Sequence, residues 1–256
     1  MRLAKYLAQC GIGSRREACR LIEAGRITLN GHIARHTDPI RLDESLNCLD
    51  SIELDGAPIT KTETLAYWIL NKAVGTDCRL LEQDETSLIR LLPKAPRLYP
   101  VGRLDKDSRG LLLLTNDGEL THKLMHPSFA HSKTYHVRLN RPFTDEFVEQ
   151  MASGVRYKNL QTLPCQVRRL SSDSFEIVLI QGLNRQIRRM SKALGYHVID
   201  LERVAIMTLN LRELALGELQ EGQMRRLTES EVAELKAVLG SVDLSRVIFR
   251  QHGKTL

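Results

Sequence analysis

Apolar and polar positions follow two different patterns along the 256-residue chain. In the first sixty residues, Ala18, Leu21 and Ile22 share one face of a short helix, and Arg15, Arg16 and Arg20 share the other. Ser14 and Glu17 have the S-x-x-E spacing of a capping box that would start this helix. Gly25 is a natural C-terminal stop. Residues 26–29 read as a strand closed by the hairpin turn Asn30-Gly31, and residues 51–54 as another closed by Asp55-Gly56. The polar residues 61–64 read as a linker.

Beyond the linker the pattern changes to many short strands. Residues 66–70 are apolar, 111–114 are four leucines, 135–139 alternate, and 175–180 form the strongest strand pattern in the chain. Helices interrupt them at about 145–152, at 185–194 ending on Gly195, and after the capping-box pair Thr228 and Glu231. In the last, Val232, Leu235, Val238 and Leu239 are apolar on one side. There is no internal repeat and no regular βαβ order, so the expected class is α+β. A small N-terminal helix–turn–strand module would precede a larger mixed, mainly antiparallel sheet with flanking helices. The expected boundaries are a module at 1–60, a linker at 61–65, a main domain at 66–240 and a C-terminal tail at 241–256.

Charge adds a candidate partner. The formal net charge is +6, which suits an anionic partner without separating nucleic acid from a membrane surface. Residues 1–36 carry seven basic side chains against two acidic ones, and residues 37–60 only Arg41 against six acids. Arg15, Arg16, Arg20 and Arg26, on a compact helix–turn–strand, point to phosphate contacts, against the plainer reading of a solvated helix face. The five cysteines (10, 19, 48, 78 and 165) form no CxxC pair and no zinc-type spacing with histidine, as expected of reduced thiols in the cytoplasm. No apolar run has the length of a signal peptide or a membrane helix.

Two segments could carry chemistry. Arg185, Arg188, Arg189 and Lys192 fall at i, i+3, i+4 and i+7, one stripe of a helix, with Ile187, Met190 and Leu194 opposite it and facing the core. No acid occurs between Gln181 and Ile199 to neutralise the stripe, so it should answer an acidic partner. The second segment is the polar loop holding Asp105 and Asp107, which runs into the leucine strand. It reads either as a turn rich in Asp and Gly or as a carboxylate nucleophile or base beside basic groups. A calcium loop fails, because its fifth position is Arg109 and its twelfth is Asn116, where a bidentate Glu is needed. His122, His126, His131 and His136 lack acid partners at a ligand spacing and read as surface or RNA-facing rather than as a metal site.

Taken together, these residues resemble the RsuA/RluF branch of bacterial ribosomal RNA pseudouridine synthases. SRREA at 14–18 and LNG at 29–31 resemble its small alpha-L RNA-binding module. GRLDKDSRGLLLLTNDG at 102–118 resembles its catalytic motif, with KTY at 133–135 and GLNRQIRRM at 182–190 matching two more. TDEF at 144–147 and MASGV at 151–155 are most similar to the RluF side. The resemblance implies isomerisation of uridine to pseudouridine in structured RNA, foremost 23S ribosomal RNA, without metal or organic cofactor. It implies Asp105 as nucleophile, Tyr135 stacking on the target uracil and assisting proton movement, and Arg188 pairing with Asp105 to hold it ionised. Arg103 would hold the RNA where the base has left the stack. Lys72, Arg185, Arg189, Lys192, Arg15, Arg16, Arg20 and Arg26 would be further RNA contacts.

The rival readings are a non-catalytic RNA-binding or ribosome-assembly protein on the same fold, and the same chemistry on a transfer RNA. The expected state is a cytoplasmic monomer with no membrane partner. One departure from the family pattern is Lys72-Ala73-Val74-Gly75, which lacks the usual proline after the lysine and so frees φ at residue 73. The long basic C-terminal tail of some relatives is also absent, so more of the affinity should rest on the N-terminal module.

Overall fold

The computed structural model describes residues 1–44, 47–60, 62–214 and 219–240. The tail expected at 241–256 and Lys61 of the expected linker lie outside them. The chain forms two compact units, one of 1–66 with 93–98 and one of 67–92 with the residues from 99 onward.

In the first unit, α1 (Leu3–Gln9) and α2 (Arg15–Glu23) cover a four-stranded sheet of β1 (Ile27–Leu29), β2 (His32–Ile33), β3 (Ile52–Leu54) and β4 (Ala57–Pro58), ordered β2-β1-β3-β4. The capping box forms as expected: Ser14 Oγ accepts from Glu17 N–H at 3.1 Å, and the Glu17 carboxylate accepts from Ser14 N–H at 3.3 Å. Ala18 and Ile22 of α2 pack with Leu3 and Leu7 of α1 and with Ile27 and Ile52 of the sheet. Both expected turns place two consecutive residues at positive φ, Asn30 (52°) with Gly31 (81°) and Asp55 (51°) with Gly56 (80°), which is the two-residue hairpin geometry. Asn30 also braces the sheet laterally. Its Oδ1 accepts from Ser51 N–H and its Nδ2 donates to Asp50 Oδ1, both at 3.0 Å. Backbone and side-chain donors of Arg41, then that amide, hold the Asp50 carboxyl at about 2. Of the stretch expected as linker, Glu63 is tied down: its N–H donates to Gln9 O at 2.8 Å, and its carboxylate accepts from Arg97 N–H at 3.0 Å.

The second unit is built on one long mixed sheet. Its strands are β5 (Tyr67–Lys72), β6 (Tyr99–Pro100), β7 (Arg109–Thr115), β8 (Lys133–Leu139), β11 (Gln166–Arg169), β12 (Ser174–Leu179), β13 (Val198–Ile206), β14 (Leu209–Asn210) and β15 (Met224–Arg226). A separate hairpin joins β9 (Arg156–Tyr157) to β10 (Leu160–Gln161). The main path runs β11-β12-β8-β13-β7-β5-β15, and among the described residues every strand pairing in it is antiparallel except β13 with β7. The expected α+β class holds. The helices are α3 (Gly118–Met125), α4 (Asp145–Ser153), α5 (Gln186–Ala193) and α6 (Glu229–Gly240).

Two cores serve this sheet. Ile69, Leu111 and Leu113 pack with Leu120 and Leu124 of α3 and Leu235 and Leu239 of α6. Val137, Phe175 and Ile177 pack with Phe147 and Met151 of α4 and Ile187 and Met190 of α5. At the parallel junction the backbones approach so closely that a Cβ on Gly110 (φ 104°) would lie 2.4 Å from Arg203 O.

Candidate active site

The loop leading into β7 carries Asp105 and is held from below by a buried cation. Lys72, at the end of β5, is 0% exposed. Its Nζ donates to Ser108 O at 2.6 Å and Ala73 O at 3.0 Å, and reaches Lys106 O at 3.5 Å. Burial pushes the pKa of this ammonium down, against the pull of Cys78, Asp107, Asp105 and Asp77. Lys72 is therefore not the RNA contact expected from sequence: it has no surface, and its protons are used on carbonyls. Gly75 N–H donates to Lys106 O at 2.8 Å, so the segment that lacks the proline is pinned to the same loop. Leu104 N–H donates to Cys78 Sγ at 3.4 Å immediately before Asp105.

Arginines hold the loop from the other side. Arg188 is only 14% exposed along its side chain. Its Nη2 donates to Asp107 O at 2.7 Å and Ser108 Oγ at 3.3 Å, and its Nη1 to Val198 O at 3.1 Å. Arg185 donates two hydrogen bonds to the Asp107 carboxylate, at 2.7 and 3.1 Å, and its Nη1 stands 3.6 Å from Asp105 Oδ2. The expected Arg188–Asp105 pair is thus replaced in this structure: Arg185 faces Asp105, and Arg188 Nε lies 3.5 Å from Asp107 Oδ2. Asp107 is the carboxyl held below its ordinary range, first by the Arg185 hydrogen bonds and then by the Arg188 charge.

The basic stripe also needs correction. Arg185 precedes α5 in a left-handed conformation (φ 50°), which turns its guanidinium towards the loop instead of along the helix. The acid missing from the local sequence is Asp107, 78 residues away from Arg185. Arg189 hydrogen-bonds Asn184 at 2.7 Å, and Lys192 is exposed.

Asp105 and Arg185 open onto a cleft of about 570 Å³, also lined by Arg103, Lys133, Tyr135 and Arg203. That volume suits a small-molecule-sized group such as a nucleotide base with its sugar. Asp105 keeps 29% of its side chain exposed, and Arg103 is exposed. Tyr135 both packs against the α4–α5 core and lines the cleft. In the first unit Arg15, Arg16 and Arg20 are exposed and make no ion pair among the described residues, whereas Arg26 is bound through two nitrogens to Asp55. One histidine expected at the surface is not there: His131 is 7% exposed and stacked on Phe129 at 5.8 Å. His136 is partly exposed and lies 3.2 Å from Glu176 on the sheet.

Comparison with known proteins decides the family. Residues 66–193 match the family described as RNA pseudouridylate synthase, and residues 1–38 match the S4 domain. The dual-specificity RNA pseudouridine synthase RluF of Salmonella typhi is 39% identical over 94% of this chain and 80% of its own length. The ribosomal large subunit pseudouridine synthase B of Bacillus subtilis is 35% identical over 93% and 96%. The chain belongs to the RNA pseudouridine synthase family. A solved structure described as a pseudouridylate synthase superposes with a TM-score of 0.63 at 29% identity, covering 92% of this chain and 99% of that one. This RNA pseudouridine synthase is therefore an enzyme that isomerises uridine in RNA, and RNA is its partner.

The sequence reading of this synthase missed Cys78, Lys133 and Arg203 as cleft residues. Lys133 lay in a quoted motif, and its i, i+2 spacing to Tyr135 puts both on one face of β8. No local signal marks Cys78 or Arg203.

Proposed function

We propose that Asp105 is the nucleophile of this synthase and that its substrate is a flipped uridine of large-subunit ribosomal RNA. One observation carries the reading. The partly exposed Asp105 carboxylate stands in the wall of a nucleotide-sized cleft, with Arg185 Nη1 at 3.6 Å and Tyr135 lining the same space. The carboxylate attacks C1′ as the N1–C1′ bond breaks, and the bonding electrons stay on the uracil. The base then turns, C5 bonds to C1′, the carboxylate departs, C5 loses its proton and N1 gains one.

The target base must leave its stack, which costs a few kcal/mol. Stacking on Tyr135 returns about 1–3 kcal/mol. Phosphate contacts from Arg103, Arg189 and Lys192, and from Arg15, Arg16 and Arg20 of the first unit, supply the rest. Arg188 and Lys72 act by holding the loop. The ribosomal target is supported by the large-subunit name of the Bacillus subtilis relative. The dual-specificity name of the Salmonella relative favours a second structured RNA, which we propose is a transfer RNA. We propose that the synthase works as a monomer in the cytoplasm, where these RNAs reside.

Asp105→Asn is expected to abolish pseudouridine formation while RNA affinity survives. Carbodiimide mapping of ribosomal and transfer RNA from a deletion strain, complemented with either version, checks this and names the target. Full modification by the Asn variant would remove Asp105 from the chemistry.

A further inference from the structure

The floor of the cleft holds two cations that the mechanism above does not use. Lys133 and Tyr135 alternate on β8, and Arg203 of β13 is the cross-strand partner of Tyr135. Directly opposed residues of an antiparallel pair share a sheet face, so all three side chains rise from the same one. All three line the cleft that holds Asp105. Arg203 is 3% exposed. Its Nε donates to Leu111 O at 2.7 Å, and among the described residues its Nη2 has no hydrogen-bonding partner. Lys133 Nζ donates to His131 O at 3.2 Å. Neither cation makes an ion pair among the described residues.

This arrangement is costly. A buried guanidinium without a carboxylate loses hydration that the one bond to Leu111 O restores only in part. Burial, and then the neighbouring Arg203 charge, also lower the pKa of Lys133. The acids that line the cleft, Asp77 and Asp105, and the adjacent Asp107 are engaged by Arg79, Arg185 and Arg188. The floor is therefore electropositive before substrate arrives and fits an incoming anion. The exposed cations Arg103 and Lys106 at the entrance suit the backbone phosphates. What descends to the floor beside Tyr135 is the base.

A uracil base is neutral on arrival and becomes anionic during the reaction. When N1–C1′ breaks, the electron pair left on N1 spreads onto the carbonyl oxygens. We propose that Lys133, backed by the charge of Arg203, is a further catalytic residue that holds the uracil carbonyl oxygen on which this charge collects. The proposal rests on the reading of the cleft as the uridine site. It holds whether Asp105 attacks C1′ or removes a sugar proton, because both routes leave the pair on the base. The residues form a pre-set electrostatic site for a charge that develops only in the transition state.

The test compares the wild-type enzyme with Lys133→Met in single turnovers on RNA carrying uridine or 5-fluorouridine at the target. The readout is the rate at which the N1–C1′ link is lost. Fluorine withdraws electrons and stabilises the departing base by itself. On uridine the variant should be slower by about a hundredfold, the size expected for one such donor. RNA affinity should stay within about twofold, and the defect on 5-fluorouridine should shrink to about tenfold or less. Lys133→Arg should recover most of the rate, and carries the comparison with Lys133→Gln should the methionine variant not fold. An undiminished rate overturns the proposal. So does an equal defect on both substrates, or weakened RNA binding with an unchanged rate once bound, which marks a phosphate contact. Wild-type turnover and the Asp105→Asn control are read in the same assay, so an error in placing the uridine site shows separately.

Discussion

Lys72 shows how far a single side chain can differ from its expected role. A lysine beside a catalytic motif in an RNA enzyme reads as a phosphate ligand, but this one lies beneath the loop and donates to three backbone carbonyls. Lys72→Met should take the donor from Ser108 O and one donor each from Ala73 O and Lys106 O, and destabilise the protein by about 1–3 kcal/mol, measurable by urea unfolding. The salt dependence of RNA binding should not change, whereas a slope shallower by about one would return Lys72 to the phosphate backbone. At this scale the charged residues of the site were legible, because Arg-rich and Asp-rich runs stand out in a sequence. Their partners were not. Asp107 meets Arg185 and Arg188 across some eighty residues of intervening chain, and the sharp reversal at Arg185 has no spacing signature. Alternation showed that Tyr135 shares a face with Val137, but not that this face opens into a cleft at one end.

Among the elements, those that announce themselves locally were readable. The capping boxes before α2 and α6 and the two hairpin turns fall where the sequence puts them. The missed elements are those whose stability comes from elsewhere. The seven-residue α1 and eight-residue α3 are too short for a clear period, and α3 is capped by Asp117, which reads as part of a turn. The central strand β13 carries Asp200, Glu202 and Arg203 within it, and register shifts break its alternation. Those charges are tolerated because Asp200 and Glu202 pair with Arg109 of β7 across the parallel junction. That junction also requires residue 110 to lack a side chain. Gly110→Ala should cost at least about 2 kcal/mol in thermal unfolding, since the added methyl meets the Arg203 backbone at a φ that alanine resists. It should also slow turnover, because Arg203 must move with its strand. Unchanged stability would mean that the two strands separate more easily than their geometry suggests.

For the whole molecule, composition and charge indicated an anionic partner, and strands and helices mixed without a regular βαβ order indicated the α+β class. The division of labour is visible in where charge stays unpaired. Arg26 and Arg41 of the first unit are bound to Asp55 and Asp50, while Arg15, Arg16 and Arg20 on α2 are exposed and make no ion pair among the described residues. Replacing these three together by glutamine should weaken RNA binding and flatten its salt dependence by up to about three in slope, read by titration at several salt concentrations. The folding of either unit should not change, and an unaltered slope would take α2 out of the RNA contact. The first unit also carries a built-in limit on its lifetime. An asparagine followed by glycine is chemically the weakest of amides, because the glycine N–H can attack the side chain without obstruction. Asn30 is such a residue, and its amide is what joins β1 to Ser51 and Asp50. Losing it would set a second carboxylate against Asp50. While folded, the left-handed backbone and both hydrogen bonds restrain the attack, so this bond ages only as often as the hairpin opens.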